Sequence, residues 1–161
     1  MSFFQIHRRV SSAAWTCLLL CYISIAVSAP ALAITRPEFQ RQNITIVTEL
    51  GVKHRFDVEV ARTADEKAFG LMFKRNMPNN RGMIFVWDRP ATRQFWMRNT
   101  YMSLDILFFD ADGMLLHISP NAEPLSDTQI PSLAPAQYVV EVNAGIADKL
   151  GITIGSQLEL Q

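Results

Sequence analysis

From Val52 to Val60 the sequence alternates without a break. Val52, His54, Phe56, Val58 and Val60 fall on one side of an extended chain, and Lys53, Arg55, Asp57 and Glu59 on the other. A period of two with one charged side predicts a strand with one face in a core and one in water. That arrangement belongs to antiparallel sheets, since strands of all-parallel sheets are apolar on both faces. The β-branched run Asn43–Thr48 precedes it across Glu49-Leu50-Gly51, so the two predict a hairpin.

Similar signals recur along the chain. Met83–Trp87 and Gln94–Met97 read as short strands either side of Asp88-Arg89-Pro90, and Leu104–Phe109 as another. Asp110-Ala111-Asp112-Gly113 turns that strand into Met114–Ile118, Tyr138–Val142 follows, and Gln157–Leu160 ends the chain as an edge or closing strand. Thr63 and Glu66 stand at capping-box spacing and open a short helix over about Ala64 to Met72, which should bury Phe69 and Met72. Ala144–Leu150 makes one or two helical turns before Gly151, and Pro120, Pro124, Pro131 and Pro135 predict an irregular stretch over 119–135. The expected fold is mainly β: a small closed or partly open β-barrel or rolled sheet of about seven strands with one or two short helices. Rolling hides strand edges, and a sheet-on-sheet sandwich is the second choice.

The first 33 residues follow a different rule. His7, Arg8 and Arg9 precede an uncharged stretch from Val10, densest in apolar residues from Trp15 to Val27, and Ala31-Leu32-Ala33 supplies a small-x-small site. This is the pattern of a secretory signal peptide, and its apolar run falls short of the roughly 20 residues that span a bilayer. The expectation is a signal at 1–33, a single β-rich domain at 34–161, and a periplasmic or secreted monomer. Membrane contact would come only through the signal segment if it stays uncleaved. Both cysteines, Cys17 and Cys21, lie in that segment, leaving the domain without a disulfide, a thiolate nucleophile or a cysteine metal site. With Arg8 and Arg9 removed the charges are nearly balanced and form no basic block, which argues against a nucleic-acid partner.

Five motifs then carry a family resemblance. Gly70-Leu71-Met72, Gly82-Met83-Ile84-Phe85, Phe95-Trp96-Met97-Arg98-Asn99-Thr100, Leu104-Asp105, and Tyr138-Val139-Val140-Glu141-Val142-Asn143-Ala144-Gly145 resemble, in order and spacing, the motifs of the family called domain of unknown function 192. The likeness runs from about residue 44 to residue 160. It implies a compact, mainly β, barrel-like domain, often exported, without an established activity. The chain departs from the family's pattern twice. Arg98 stands where lysine is common, and Ser132-Leu133-Ala134 where Ser-Gly-Gly is frequent, so the long loop has lost backbone freedom.

Aromatic and polar groups concentrate over Phe95–Asp105. Asp105 shares a strand face with Leu107 and Phe109, where an isolated carboxylate is too costly. Arg98 is the expected partner, with the Asn99 amide or loop N–H groups as alternatives. Structurally, Asp105 would then tie the loop 98–103 to the sheet. Functionally, Trp96 would form a platform with Arg98, Asn99 and Asp105 giving direction, while Glu123 and Ser126 on the proline-rich loop cover the mouth. The ligand-binding candidates are therefore Trp96, Arg98, Asn99, Asp105, Glu123 and Ser126.

Other groups carry less. Glu141 is explained by a half-exposed strand, although an acid/base couple with Asp105 is conceivable. His54 and His117 lack a nearby second ligand and read as satisfied strand histidines. There is no G-x-S-x-G motif and no phosphate-cradling glycine loop, and the six methionines after the signal read as core filling. No cofactor, metal or catalytic residue is expected. The leading reading is an extracytoplasmic, non-catalytic binding or interaction module, its partner a small molecule, a glycan or an envelope protein. The alternatives are a carboxylate-based hydrolase of sugar or envelope polymer, pairing Asp105 with Glu123 or Glu141, and a structural envelope component.

Overall fold

The alternating segment is strand β2 (Lys53–Ala61), paired antiparallel with β1 (Gln40–Val47) so that Ile44 stands opposite Phe56 and Ile46 opposite His54. The computed structural model describes Met1 and residues 35–161; the expected signal at 1–33 otherwise lies outside the described residues. The remaining elements are α1 (Ala64–Phe69), β3 (Arg81–Ala91), β4 (Gln94–Phe95), β5 (Leu104–Phe109), β6 (Leu115–Ala122), β7 (Ile130–Pro131), β8 (Ala136–Asn143), α2 (Ile146–Lys149) and β9 (Gln157–Leu160).

Seven strands form one sheet in the order β6-β5-β8-β3-β2-β1-β9, while β4 and β7 pair separately. All neighbours are antiparallel except β2 and β3, whose connection passes through α1. The two edge strands meet at one end only. Met114 bridges to Gln157, the Leu115 N–H donates to the Ser156 carbonyl at 2.9 Å, and the Leu158 N–H donates to the Gly113 carbonyl at 2.8 Å. The sheet is thus a curled half-barrel, the partly open form of the expected fold.

Curling gives the sheet an inner and an outer face, and each has its own core. All seven strands send residues to the inner one, including Ile44, Phe56, Ile84, Leu107, Phe109, Val140 and Leu158, and α2 closes it with Ile146 and Ala147. The outer core lies over β3, β5 and β8, where Met83, Phe85, Ile106, Phe108 and Val139 pack beneath loop residues such as Leu71, Met77, Met97 and Met102. Strand β5 is buried at every position, because one core covers each of its faces.

Several sequence expectations need correction. The capping box is present, with the Glu66 N–H donating to Thr63 Oγ1 at 3.2 Å and the Thr63 N–H donating to the Glu66 carboxylate at 2.8 Å. The Arg62 N–H also donates to that carboxylate at 2.7 Å, and the two amide hydrogen bonds from Thr63 and Arg62 hold the Glu66 carboxyl below its ordinary pKa. The helix nevertheless ends at Phe69, since Gly70 adopts a conformation (φ 52°, ψ −134°) closed to other residues, and Phe69 and Met72 are only half-buried. Asp88-Arg89-Pro90 does not break the chain, because β3 runs through it at an exposed end. Proline at 120 is likewise tolerated inside the edge strand β6, so part of the stretch 119–135 is strand, as is β7. Four of the six methionines are buried, but Met114 is exposed and Met72 half-buried.

Candidate functional site

A cavity of about 230 Å³ opens on the outer face, lined by residues of α1, the segment after it, β3, the 94–100 segment and β8. Its walls are aromatic: Phe69, Phe85, Trp87, Phe95 and Trp96. Phe95 stands edge-on to Phe85 at 5.0 Å and to Trp87 at 6.3 Å, the tilted geometry that ring quadrupoles favour. Gly70 admits this packing, since a Cβ there would lie 3.3 Å from the Phe85 ring. Beneath it, Gly82 lets β3 close against β8, where any side chain would collide with the Glu141 carbonyl oxygen.

Glu141 lines this cavity and is 4% exposed. In the sheet it lies between Met83 of β3 and Ile106 of β5, both fully buried. Its carboxyl group has no hydrogen-bond or ion-pair partner among the described residues. Burial without compensation raises its pKa from 4.5 to about 8, so at neutral pH it is mostly a neutral acid that can donate a proton to a hydrogen bond. The half-exposed strand residue expected from the sequence is instead a buried acid.

Two cations share the cavity. The Lys67 ammonium sits 4.9 Å from the Trp87 ring, with no carboxylate in ion-pair range among the described residues, and partial burial lowers its pKa. The Arg98 guanidinium stacks 4.6 Å over Trp96, while its Nε donates to Asp127 at 2.6 Å. The planar arginine guanidinium can lie flat on the indole while its edge donates, a geometry that a lysine point charge does not reproduce.

The site candidates from the sequence separate accordingly. Trp96 and Arg98 line the cavity; Asn99, Asp105, Glu123 and Ser126 do not. Asn99 occupies a left-handed conformation (φ 56°), its carbonyl accepting from the Phe73 N–H at 2.8 Å and its amide contacting the Met72 sulfur at 3.8 Å. Glu123 is exposed, and the Ser126 carbonyl accepts from the Met97 N–H at 2.9 Å, fastening the loop.

Asp105 does not pair with Arg98. Its two oxygens accept from the backbone N–H groups of Asn121 (3.0 Å) and Ala147 (2.9 Å), so it ties β5 to β6 and to α2 rather than to the loop 98–103. The Arg98 side chain reaches Asp127 instead. Asp105 stands opposite Val142, and Glu141 opposite Ile106. Val142 belongs to the inner core and Ile106 to the outer, so the two carboxylates point to opposite faces.

Lys67, Phe69, Phe85, Trp87, Phe95 and Glu141 were missed as site residues. One signal was available: Glu141 is a lone acid in the run Tyr138-Val139-Val140-Glu141-Val142, on the side it shares with Val139. Elsewhere, His54 is not satisfied, since its Nε2 is buried without a hydrogen-bond partner among the described residues. His117 stacks on Phe108 at 5.7 Å. No cluster of metal-ligating side chains occurs among the described residues.

Gly70 to Met72, Phe85, Phe95, Trp96, Arg98, Thr100 and Glu141 come from four of the five motifs quoted above, and all line one cavity. The family model DUF192, described as "Uncharacterized ACR", matches residues 45–160. The chain belongs to this family. Two solved structures are similar to this family member. A candidate transcription regulator from Sinorhizobium meliloti 1021 is 35% identical with a TM-score of 0.76, over 78% of this chain and 98% of that one. A protein of unknown function from Novosphingobium aromaticivorans DSM 12444 is 38% identical with a TM-score of 0.74, over 83% of this chain and 94% of that one. No curated protein matches.

Proposed function

We propose that this protein is an extracytoplasmic, non-catalytic binding module that holds a small molecule in the aromatic cavity above Glu141. The observation that carries the reading is a buried carboxyl group, Glu141, with no hydrogen-bond or ion-pair partner among the described residues, facing an open cavity. Buried polar groups are nearly always satisfied, and a ligand hydrogen bond would satisfy this one. The aromatic walls supply apolar contact area, and a few polar groups (Glu141, Thr100, Gln94) supply direction, the usual composition of a small-molecule site. The signal-like first 33 residues support the location.

A carboxylate hydrolase is less well supported. It needs a second acid beside the first, whereas Asp105 faces the other side of the sheet and Glu123 lies outside the cavity. Regulation of transcription, named in the description of the Sinorhizobium protein, would call for a clustered basic face. This sequence, with 15 basic and 15 acidic residues, has no such block.

A thermal-shift screen of glycans, small organic molecules and peptides on the full chain tests the proposal. A ligand should raise the melting temperature, and Trp96→Ala should abolish that shift while leaving the unliganded protein folded. Ligands that stabilise wild type and Trp96→Ala equally would overturn the reading.

A further inference from the structure

The lining of the proposed binding cavity holds more cationic than anionic side chains. Its lining contains three ionisable side chains: Lys67, Arg98 and Glu141. Glu141 is enclosed by Met83 and Ile106 and is poorly placed to hold negative charge. Arg98 spends its Nε on Asp127, and no partner is found for its two terminal nitrogens among the described residues. The Lys67 ammonium lies over the Trp87 ring, which Arg93 also approaches at 4.3 Å, and Asp88 and Glu66 act on it electrostatically without forming an ion pair among the described residues. The cavity therefore presents two cations and one acid in an aromatic chamber. A cationic ligand would have to enter past Lys67 and Arg98 and compete with Lys67, Arg93 and Arg98 for the ring faces of Trp87 and Trp96.

Resting on the binding reading above, we propose that the cavity selects a small organic anion: an apolar, ring-sized body bearing a carboxylate. The body packs against Phe85, Phe95 and Trp96, and the carboxylate is held by the Lys67 ammonium and a free Arg98 terminal nitrogen. The Glu141 carboxyl group donates a hydrogen bond to an oxygen of the same ligand, which ends its own isolation. Each contact uses a nitrogen or oxygen with no hydrogen-bond or ion-pair partner among the described residues, and charge-assisted hydrogen bonds outweigh neutral ones about twofold in strength.

Three probes with one ring and different charge separate the possibilities: phenylacetate, phenylacetamide and phenethylamine. Each is titrated into the full chain by calorimetry, with the ring resonances of Trp96 and Phe95 reporting where it binds. Phenylacetate should bind about tenfold more tightly than phenylacetamide at neutral pH. Lys67→Met, which keeps the alkyl stem on the Trp87 ring, should erase that preference, and Lys67→Arg should restore it. Equal affinities, a preference for phenethylamine, or an anion preference that survives Lys67→Met would each overturn the anion proposal. Because the Trp96 and Phe95 resonances would still move in those cases, the binding reading would stand. If no probe moves them at millimolar concentration, the anion proposal fails, and a thermal-shift screen equally without effect would remove the binding reading too.

Discussion

Two buried carboxylates on adjacent strands, one on each face of the same sheet, have opposite lives. Asp105 faces inward and accepts two backbone hydrogen bonds, one from β6 and one from α2. Glu141 faces outward into a chamber of aromatic and methionine side chains and accepts none among the described residues. Burial class alone does not distinguish them, at 1% and 4% exposed. The inner face shows what a carboxylate does when the fold spends it: it holds a strand and a helix in place. The outer face shows an acid that the described residues leave unpaired, at a cost to stability. The cores around them differ in kind as well. The inner one is mostly Ile, Val and Leu from strands, which pack stiffly. The outer one is richer in Met and Phe carried partly by loops, side chains that fill irregular space and leave room for a cavity.

The largest test of this contrast removes the inner acid. Asp105→Ala leaves the Asn121 and Ala147 N–H groups without their acceptor and should destabilise the protein by about 4 kcal/mol, measured by urea unfolding. A loss below about 1 kcal/mol would mean that Asp105 does not hold β6 and α2 together.

The outer acid should behave in the opposite sense. In the unfolded chain Glu141 gives up its proton near pH 4.5, whereas in the folded chain it keeps it to about pH 8. Between those values only the folded state binds the proton, so stability falls as pH rises across that window. It is full below pH 4.5 and lowest above about pH 8. Glu141→Gln should flatten this slope and raise stability at neutral pH by about 3 kcal/mol. Unfolding curves at a series of pH values for both proteins decide it. A variant less stable than wild type at neutral pH would show that the carboxyl has a partner after all.

The smallest effect belongs to the loop over the outer core. Leu133 adopts a left-handed conformation (φ 60°) with its side chain exposed, at the position where the family pattern often has glycine. The loop keeps its shape because Ser132 is pinned beside it. The Ser132 hydroxyl accepts from the Arg93 N–H at 2.9 Å and donates to the Ala134 carbonyl at 2.6 Å. Leu133→Gly relieves backbone strain but adds unfolded-state entropy, so the net gain should be only about 0.5 kcal/mol. A melting temperature that falls would mean that the Leu133 side chain has a contact role which outweighs its strain.

Much of the fold was legible because strand periodicity is local. Leu104–Phe109 and Gln157–Leu160 match the observed strands to the residue, and the Thr63–Glu66 box marks the helix start. Ends governed by tertiary contacts were less so. Pro90 and Pro120 look like breaks, but both lie in exposed stretches of strand. Of the site, Trp96 and Arg98 were legible from aromatic and cationic residues side by side, while Glu141 was hidden. A strand sequence shows which residues share a face, not whether that face is covered.

By itself, the sequence determined most of the strands, the capped helix, the mainly β class and the family, since each rests on the order of neighbouring residues. Only the tertiary structure decided that β5 is buried on both faces, that Asp105 takes backbone donors instead of Arg98, and that Glu141 lies in an aromatic cavity without a partner among the described residues. Those outcomes depend on which distant segments cover each face of the sheet. That covering is set by the curl of the whole sheet and by loops whose contacts have no period to read.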